Sequence, residues 1–138
     1  MKNRQLIINA IKEVMEKDSE VLFAYLYGSS VYFGRISGGD IDVAVYLKTL
    51  DMMGYLKKEE ELIAALVNRI HSNRIDLRIL NVSPFLLQYN VIKEGIPILV
   101  RDEAERVGFE IKVMNRFFEL KPYLDEYRQM LSSRIRTG

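Results

Sequence analysis

Val21-Leu-Phe-Ala-Tyr-Leu-Tyr-Gly-Ser29 and, after ten further residues, Asp40-Ile-Asp-Val-Ala-Val-Tyr-Leu47 decide how this chain is read. Residues 21–27 are apolar on both faces and end at a glycine, as a central strand covered on two sides does. Gly28-Ser29 then closes the strand in a tight turn whose backbone amides can hold phosphate. Residues 41–47 spell a second strand. Side chains alternate along a strand, so Ile41, Val43, Val45 and Leu47 point one way while Asp40, Asp42, Ala44 and Tyr46 point the other. Two carboxylates therefore stand side by side, on Cα atoms about 6.6 Å apart at ~3.3 Å rise per residue.

A third acid, Asp76, opens the alternating stretch Arg74-Ile-Asp-Leu-Arg-Ile-Leu80, in which Ile75, Leu77 and Ile79 face one side and Asp76 and Arg78 the other. The plain reading of Asp76 is a surface acid beside Arg74 and Arg78. The functional reading is an acid placed at the head of an otherwise apolar strand for a purpose. Two magnesium ions about 3.5–4 Å apart fit between carboxylates so arranged. Magnesium takes a few carboxylates and completes its shell with substrate phosphate oxygens and water. One ion would hold a triphosphate and the other would activate an attacking hydroxyl. Asp76 would complete the second site and accept the hydroxyl proton. Three unpaired carboxylates repel one another, so such a cluster calls for cations. The chemistry implied is metal-assisted transfer of a nucleotide, with catalytic and metal-binding roles for Asp40, Asp42 and Asp76.

Outward from this centre, residues 3–17 carry Leu6, Ile7, Ala10, Ile11, Val14 and Met15 at helical spacing. Ser29 to about Phe33 reads as the start of a short helix, and Gly34–Gly39 as a loop. Residues 57–71 form a helix with Leu62, Ile63, Leu66, Val67 and Ile70 on one stripe. Lys57-Lys58-Glu59-Glu60-Glu61 then reads as its solvated start. Ser83-Pro84 predicts a helix start and Gly95 a helix end in the C′ position. Residues 97–100 make an edge strand. Asp102 with Glu105 resembles a capping box opening a helix that runs to about Leu120. Pro122 is expected to break or kink it, leaving a last helix over roughly 123–135. The order implies one small α/β or α+β domain, with a core over 1–101 and a helical arm over 102–138. That arm is dense in apolar residues, from Phe117 and Phe118 to Met130 and Leu131, and reads as a surface for a partner.

Bulk properties narrow the classes. A chain of 138 residues suits a single domain. A net charge of +1 gives no global field for nucleic acid or membranes. No apolar run approaches the roughly 18 residues of a membrane span. The absence of cysteine removes disulfides, thiolate metal sites and cysteine nucleophiles, and fits a reducing cytoplasm.

Gly28-Ser29-x10-Asp40-x-Asp42 resembles the signature of the DNA polymerase β-like nucleotidyltransferases, and the short length points to the minimal ones. Phe118-Glu-Leu-Lys-Pro-Tyr-Leu-Asp-Glu-Tyr127 is similar to the tail of minimal nucleotidyltransferase antitoxins paired with HEPN-domain toxins. The resemblance implies a small mixed sheet flanked by helices, magnesium, and ATP as substrate. It further implies transfer of AMP to a tyrosine of a HEPN RNase, which silences it. Asp40 and Asp42 match the metal ligands, Asp76 the third acid by its place on its strand, and Gly28 and Ser29 the nucleotide-holding turn. Such loops often carry basic residues soon after Gly-Ser. Here Ser30 follows, and Arg35 is the nearest cation, either a phosphate ligand or a solvated loop residue. No membrane and no direct nucleic-acid binding are expected, and the arm could support a homo- or hetero-oligomer. Two other readings compete: transfer to a small hydroxylated molecule such as an aminoglycoside, and an antitoxin that acts by binding alone.

Overall fold

A computed structural model describes residues 2–28, 35–36 and 40–137. Its centre is a four-stranded mixed sheet in the order β5-β4-β2-β6, built from β2 (Val21–Tyr27), β4 (Ile41–Leu47), β5 (Ile75–Ile79) and β6 (Ile96–Val100). β2 runs antiparallel to both neighbours, while β4 and β5 are parallel. A small pair joins β1 (Lys2–Asn3) to β3 (Arg35–Ile36), so part of the expected 34–39 loop is a strand. The short helix expected from Ser29 lies outside the described residues.

Alternation along the strands divides the core into two layers. Ile41, Val43, Val45 and Leu47 join Leu77 and Ile79 beneath α1 (Arg4–Glu16) and α2 (Met52–Ile70). Phe23, Tyr25 and Ala44 face the opposite layer with Leu80 and Val91, under α3 (Phe85–Glu94) and α4 (Glu103–Thr137). β2 is apolar on both faces because helices cover both. Arg101 ties the layers at one corner. Its guanidinium donates to the carbonyls of Val21 and Glu16 at 3.0 Å each and to those of Met15 and Asp18 at 3.3 Å, which caps the end of α1.

Four expectations are corrected. α2 begins at Met52, not 57, because Asp51 caps it, its Oδ1 accepting from the Gly54 N–H at 2.7 Å. Lys58 is therefore well inside the helix and mostly buried, not part of a solvated start. Gly95 ends α3 in extended backbone (φ −78°, ψ 162°), not in the left-handed C′ form. Glycine is needed there because a Cβ would run into the Val91 carbonyl. Finally, α4 continues through Pro122 to Thr137 as one helix of 35 residues. Proline removes one helical hydrogen bond, but Pro122 and Phe118 are both exposed, so water can serve the Phe118 carbonyl. The Lys121–Asp125 ion pair at 2.9 Å spans the same turn. Among the described residues no helix is long and apolar enough to cross a membrane.

Candidate active site

Strand register assembles the acids. Ile41 N–H donates to the Arg74 carbonyl at 2.7 Å, so the pairing of β4 with β5 starts right beside them. In that register Asp42 lies opposite Asp76, and on the other side of β4 Asp42 lies opposite Tyr27. Tyr27, Asp42 and Asp76 thus form a row across three strands. Asp40 is exposed, just ahead of β4 and one pleat from Asp42.

The glycine after β2 is fixed by two facts. Gly28 has φ +76°, in the left-handed region that disfavours side chains. A Cβ on it would also collide with the Asp42 carboxylate. The turn and the acid are therefore one unit: the backbone of Gly28 passes directly over Asp42.

The electrostatics are unbalanced. Burial pushes the Asp42 carboxyl above the usual carboxylate range, Asp76 and Asp40 push it further, and Arg78 opposes them. Burial and the charges of Asp42 and Asp76 also push the Tyr27 hydroxyl up to about 12, again against Arg78. Arg78 Nε reaches Asp76 Oδ1 at 3.3 Å, with both side chains about half exposed. An exposed pair of this kind neutralises its partners weakly.

This donor set fits magnesium. It offers hard carboxylate oxygens whose mutual repulsion a divalent ion would relieve. Among the described residues no three Asp, Glu or His side chains converge closely enough to cage an ion alone.

The structure brings together Gly28, Asp42 and Asp76, with Asp40 alongside. Ser29 and Ser30 lie outside the described residues, and of Arg35 only the backbone, in β3, is described. Sequence reasoning passed over two residues here. Tyr27 reads from the sequence only as the last residue of a strand covered on both sides, although its place directly before the turn puts it opposite Asp42. Arg78 was seen only as the surface companion of Asp76, although strand alternation already aimed both the same way. The ion pair of the plain reading is real, and so is the register with Asp42.

The model of the family described as Polymerase beta, Nucleotidyltransferase matches residues 9–104, a span that includes Gly28 and all three acids. No curated protein matches the chain. Solved structures share the fold. A chain from the complex of a tri-AMPylated Shewanella oneidensis HEPN toxin with MNT antitoxin is 23% identical at a TM-score of 0.65, covering 96% of this chain and 98% of that one. A toxin–antitoxin structure with AMP-PNP gives 22% identity and a TM-score of 0.68, over 94% of this chain and 98% of that one. The toxin–antitoxin MntA-HepT gives 22% identity and a TM-score of 0.64, over 96% and 98%.

Proposed function

Because this chain belongs to the Polymerase beta nucleotidyltransferase family, we propose that it is an antitoxin that transfers AMP from ATP to a tyrosine hydroxyl of a partner HEPN-domain RNase, silencing it in the cytoplasm. One observation carries the reading: Asp42 and Asp76 stand in register beneath a left-handed Gly28, on strands that a catalytic layout needs adjacent. The similar complexes, one with a tri-AMPylated toxin and one with AMP-PNP, support the nucleotide and the acceptor.

In this scheme Asp40 and Asp42, with Asp76, would hold magnesium. The ions would supply charge neutralisation on the triphosphate and a lowered pKa for the attacking hydroxyl. The Gly28 turn, with Ser29, Ser30 and Arg35 following, would hold the phosphates. Asp76 would take the proton of the acceptor hydroxyl. The hydroxyl oxygen forms its bond to the α-phosphorus as the bond to pyrophosphate breaks.

The arm would hold the partner. Val113 is buried and Phe117 stacks on Tyr89 with ring centroids 3.9 Å apart. The same face of α4 then continues as Leu120, Leu124, Tyr127 and Leu131, at alternating steps of three and four. That is the spacing of helix–helix packing. Tyr127 is 60% exposed and Leu131 40%, so the stripe outruns the domain that it packs on.

One observation favours a second reading, neutralisation by binding alone: Asp76 is already engaged by Arg78. Intact mass of the adjacent-gene product, after incubation with this protein, ATP and magnesium, separates the two. Whole AMP units added, and lost with Asp42→Asn, are the expected result. A tight complex with no mass shift would establish the binding antitoxin instead. No shift and no complex would point to a small hydroxylated acceptor.

A further inference from the structure

The last turns of α4 stand apart from the rest of the molecule. Beyond the stack of Phe117 on Tyr89 the helix runs from Leu120 to Thr137, about 25 Å at ~1.5 Å per residue. Among the described residues none after Val113 is buried. A helical stretch of this length with nothing packed on it is marginal in water. Leu120, Leu124, Tyr127 and Leu131 carry the packing stripe, and the exposed Tyr123, Met130 and Ile135 widen it.

The two edges of the stripe differ. Lys121 and Arg128, seven residues apart, each follow a stripe residue and form one edge. Tyr123 and Met130, also seven apart, each precede one and form the other. These are the positions that meet the flanks of a partner helix. Arg134, three residues after Leu131, takes the next place in the stripe itself. Three acids share this part of the helix. Glu119 and Glu126 lie behind the Tyr123–Met130 edge, farther round the helix than the places that face a partner. Asp125 reaches Lys121 at 2.9 Å, an exposed pair that answers the lysine weakly. Among the described residues no ion pair engages Arg128 or Arg134. The stripe is thus edged by cations on one side and by apolar side chains on the other.

A second copy of this chain fits such a surface poorly. An antiparallel pair that sets Leu124 against Tyr127 also sets Lys121 of each copy against Arg128 of the other. A parallel pair places Arg134 against its own counterpart within the stripe. Like charges facing one another in this way exclude a partner.

We propose that the projecting half of α4 docks one helix of another protein, with acidic side chains lying along the Lys121–Arg128 edge and apolar ones on the stripe. This rests on the arm being the partner surface, and it adds what the partner must present. Transfer is read by mass and docking by affinity, so the two readings fail separately.

The probe is the adjacent-gene product, titrated calorimetrically into the full-length protein without ATP, at about 0.1 M and about 0.5 M salt. Lys121→Glu with Arg128→Glu should weaken the complex about tenfold or more at the lower salt and less at the higher. The neutral pair Lys121→Gln with Arg128→Gln, which brings no new repulsion to Asp125, should weaken it about threefold. Tyr127→Ala with Leu131→Ala should weaken it about a hundredfold at both salts. The chain alone should sediment as a monomer, and all three variants should keep the parent's circular dichroism. Affinity unchanged in the charge and stripe variants would overturn the proposal and leave the transfer reading standing. Tighter binding by the Glu variant would overturn it too, since the partner's edge would then be basic. So would a dimer of the chain alone that Tyr127→Ala with Leu131→Ala dissolves. No complex at all would remove it together with the reading of the arm.

Discussion

Two groups of three carboxylates can be compared in this molecule. Asp18, Glu20 and Glu61 surround the Lys58 ammonium at 3.0, 3.2 and 3.3 Å, and the lysine side chain is only 16% exposed. Asp40, Asp42 and Asp76 share one face of the sheet edge, and their neighbouring cation, Arg78, is 54% exposed and, among the described residues, forms an ion pair with Asp76. Burial by itself would lower the pKa of Lys58. Hydrogen bonds to Asp18 and Glu20 outweigh it and hold the lysine above its ordinary range. At Asp42 the balance has the opposite sense, because burial and neighbouring acids disfavour its charged form. The first cluster carries its own cation and serves stability. Among the described residues the second has only the half-exposed Arg78 to set against its acids, which costs stability and leaves a place for ligands from outside.

The comparison is sharpest at Asp42. Asp42→Asn should cut AMP transfer by about a thousandfold or more, as loss of a group that holds the metal ions on the reacting phosphates does. In EDTA it should leave the melting temperature unchanged or raised. The sign follows from the raised carboxyl. Its contribution to stability is full below the ordinary value of 3.8 and is lost as pH rises through the folded-state value. The variant should therefore gain most on the parent at neutral pH, and the gain should vanish toward pH 3.8. A strongly destabilised Asn variant would mean that these acids are structural after all. Gly28→Ala should come next, lowering transfer about a hundredfold, because a 1 Å displacement of reacting groups has that effect. Its Cβ would strike the Asp42 carboxylate at a backbone angle that suits only glycine.

Lys58→Met keeps the aliphatic stem and removes the charge. Three carboxylates then face one another, and unfolding in urea should show a loss of about 2 kcal/mol, below the 3–5 of a fully buried pair. Transfer by the folded fraction should be unchanged. Because the lysine is raised in the fold, its contribution is complete below 10.5 and lost as pH rises through the folded value. The gap between parent and variant should close in alkali. A variant with lost transfer and full stability would erase the distinction between the clusters.

The two clusters were unequally legible. β2 and β4 match their expected bounds of 21–27 and 41–47, because alternation and a terminal glycine are local signals. The acids of the site lie at the ends of such strands, so spacing alone nearly assembles them. The Lys58 cluster joins residues 40 apart in sequence, Lys58 and Asp18, across an interface that no periodicity encodes. Lys58 thus passed as one charge in a solvated run. Tyr27 and Arg78 fall between these cases: their faces were readable, but the strand order β5-β4-β2 that sets them beside Asp42 was not. Pro122 misled in another way: proline costs a helix one hydrogen bond and a ring contact, but does not by itself end a helix that is carried on both sides by good helix-forming sequence.

The smallest effect tests the comparison from the side of the cation. If Arg78 were to the acid row what Lys58 is to its cluster, removing it would be comparably destabilising. The geometry says otherwise. A half-exposed arginine at 3.3 Å from one acid of three is screened by water, and such pairs contribute about 0–1 kcal/mol. Arg78→Gln should change stability by about 0.5 kcal/mol or less. Its visible effect should be on ionisation, since Arg78 opposes the upward push on both Asp42 and Tyr27. Without it, the Asp42 carboxyl, followed by NMR in the absence of metal, should titrate at higher pH than in the parent. The asymmetry matters more than either number: an acid row that barely notices the loss of its own cation is one whose counter-charge arrives from outside.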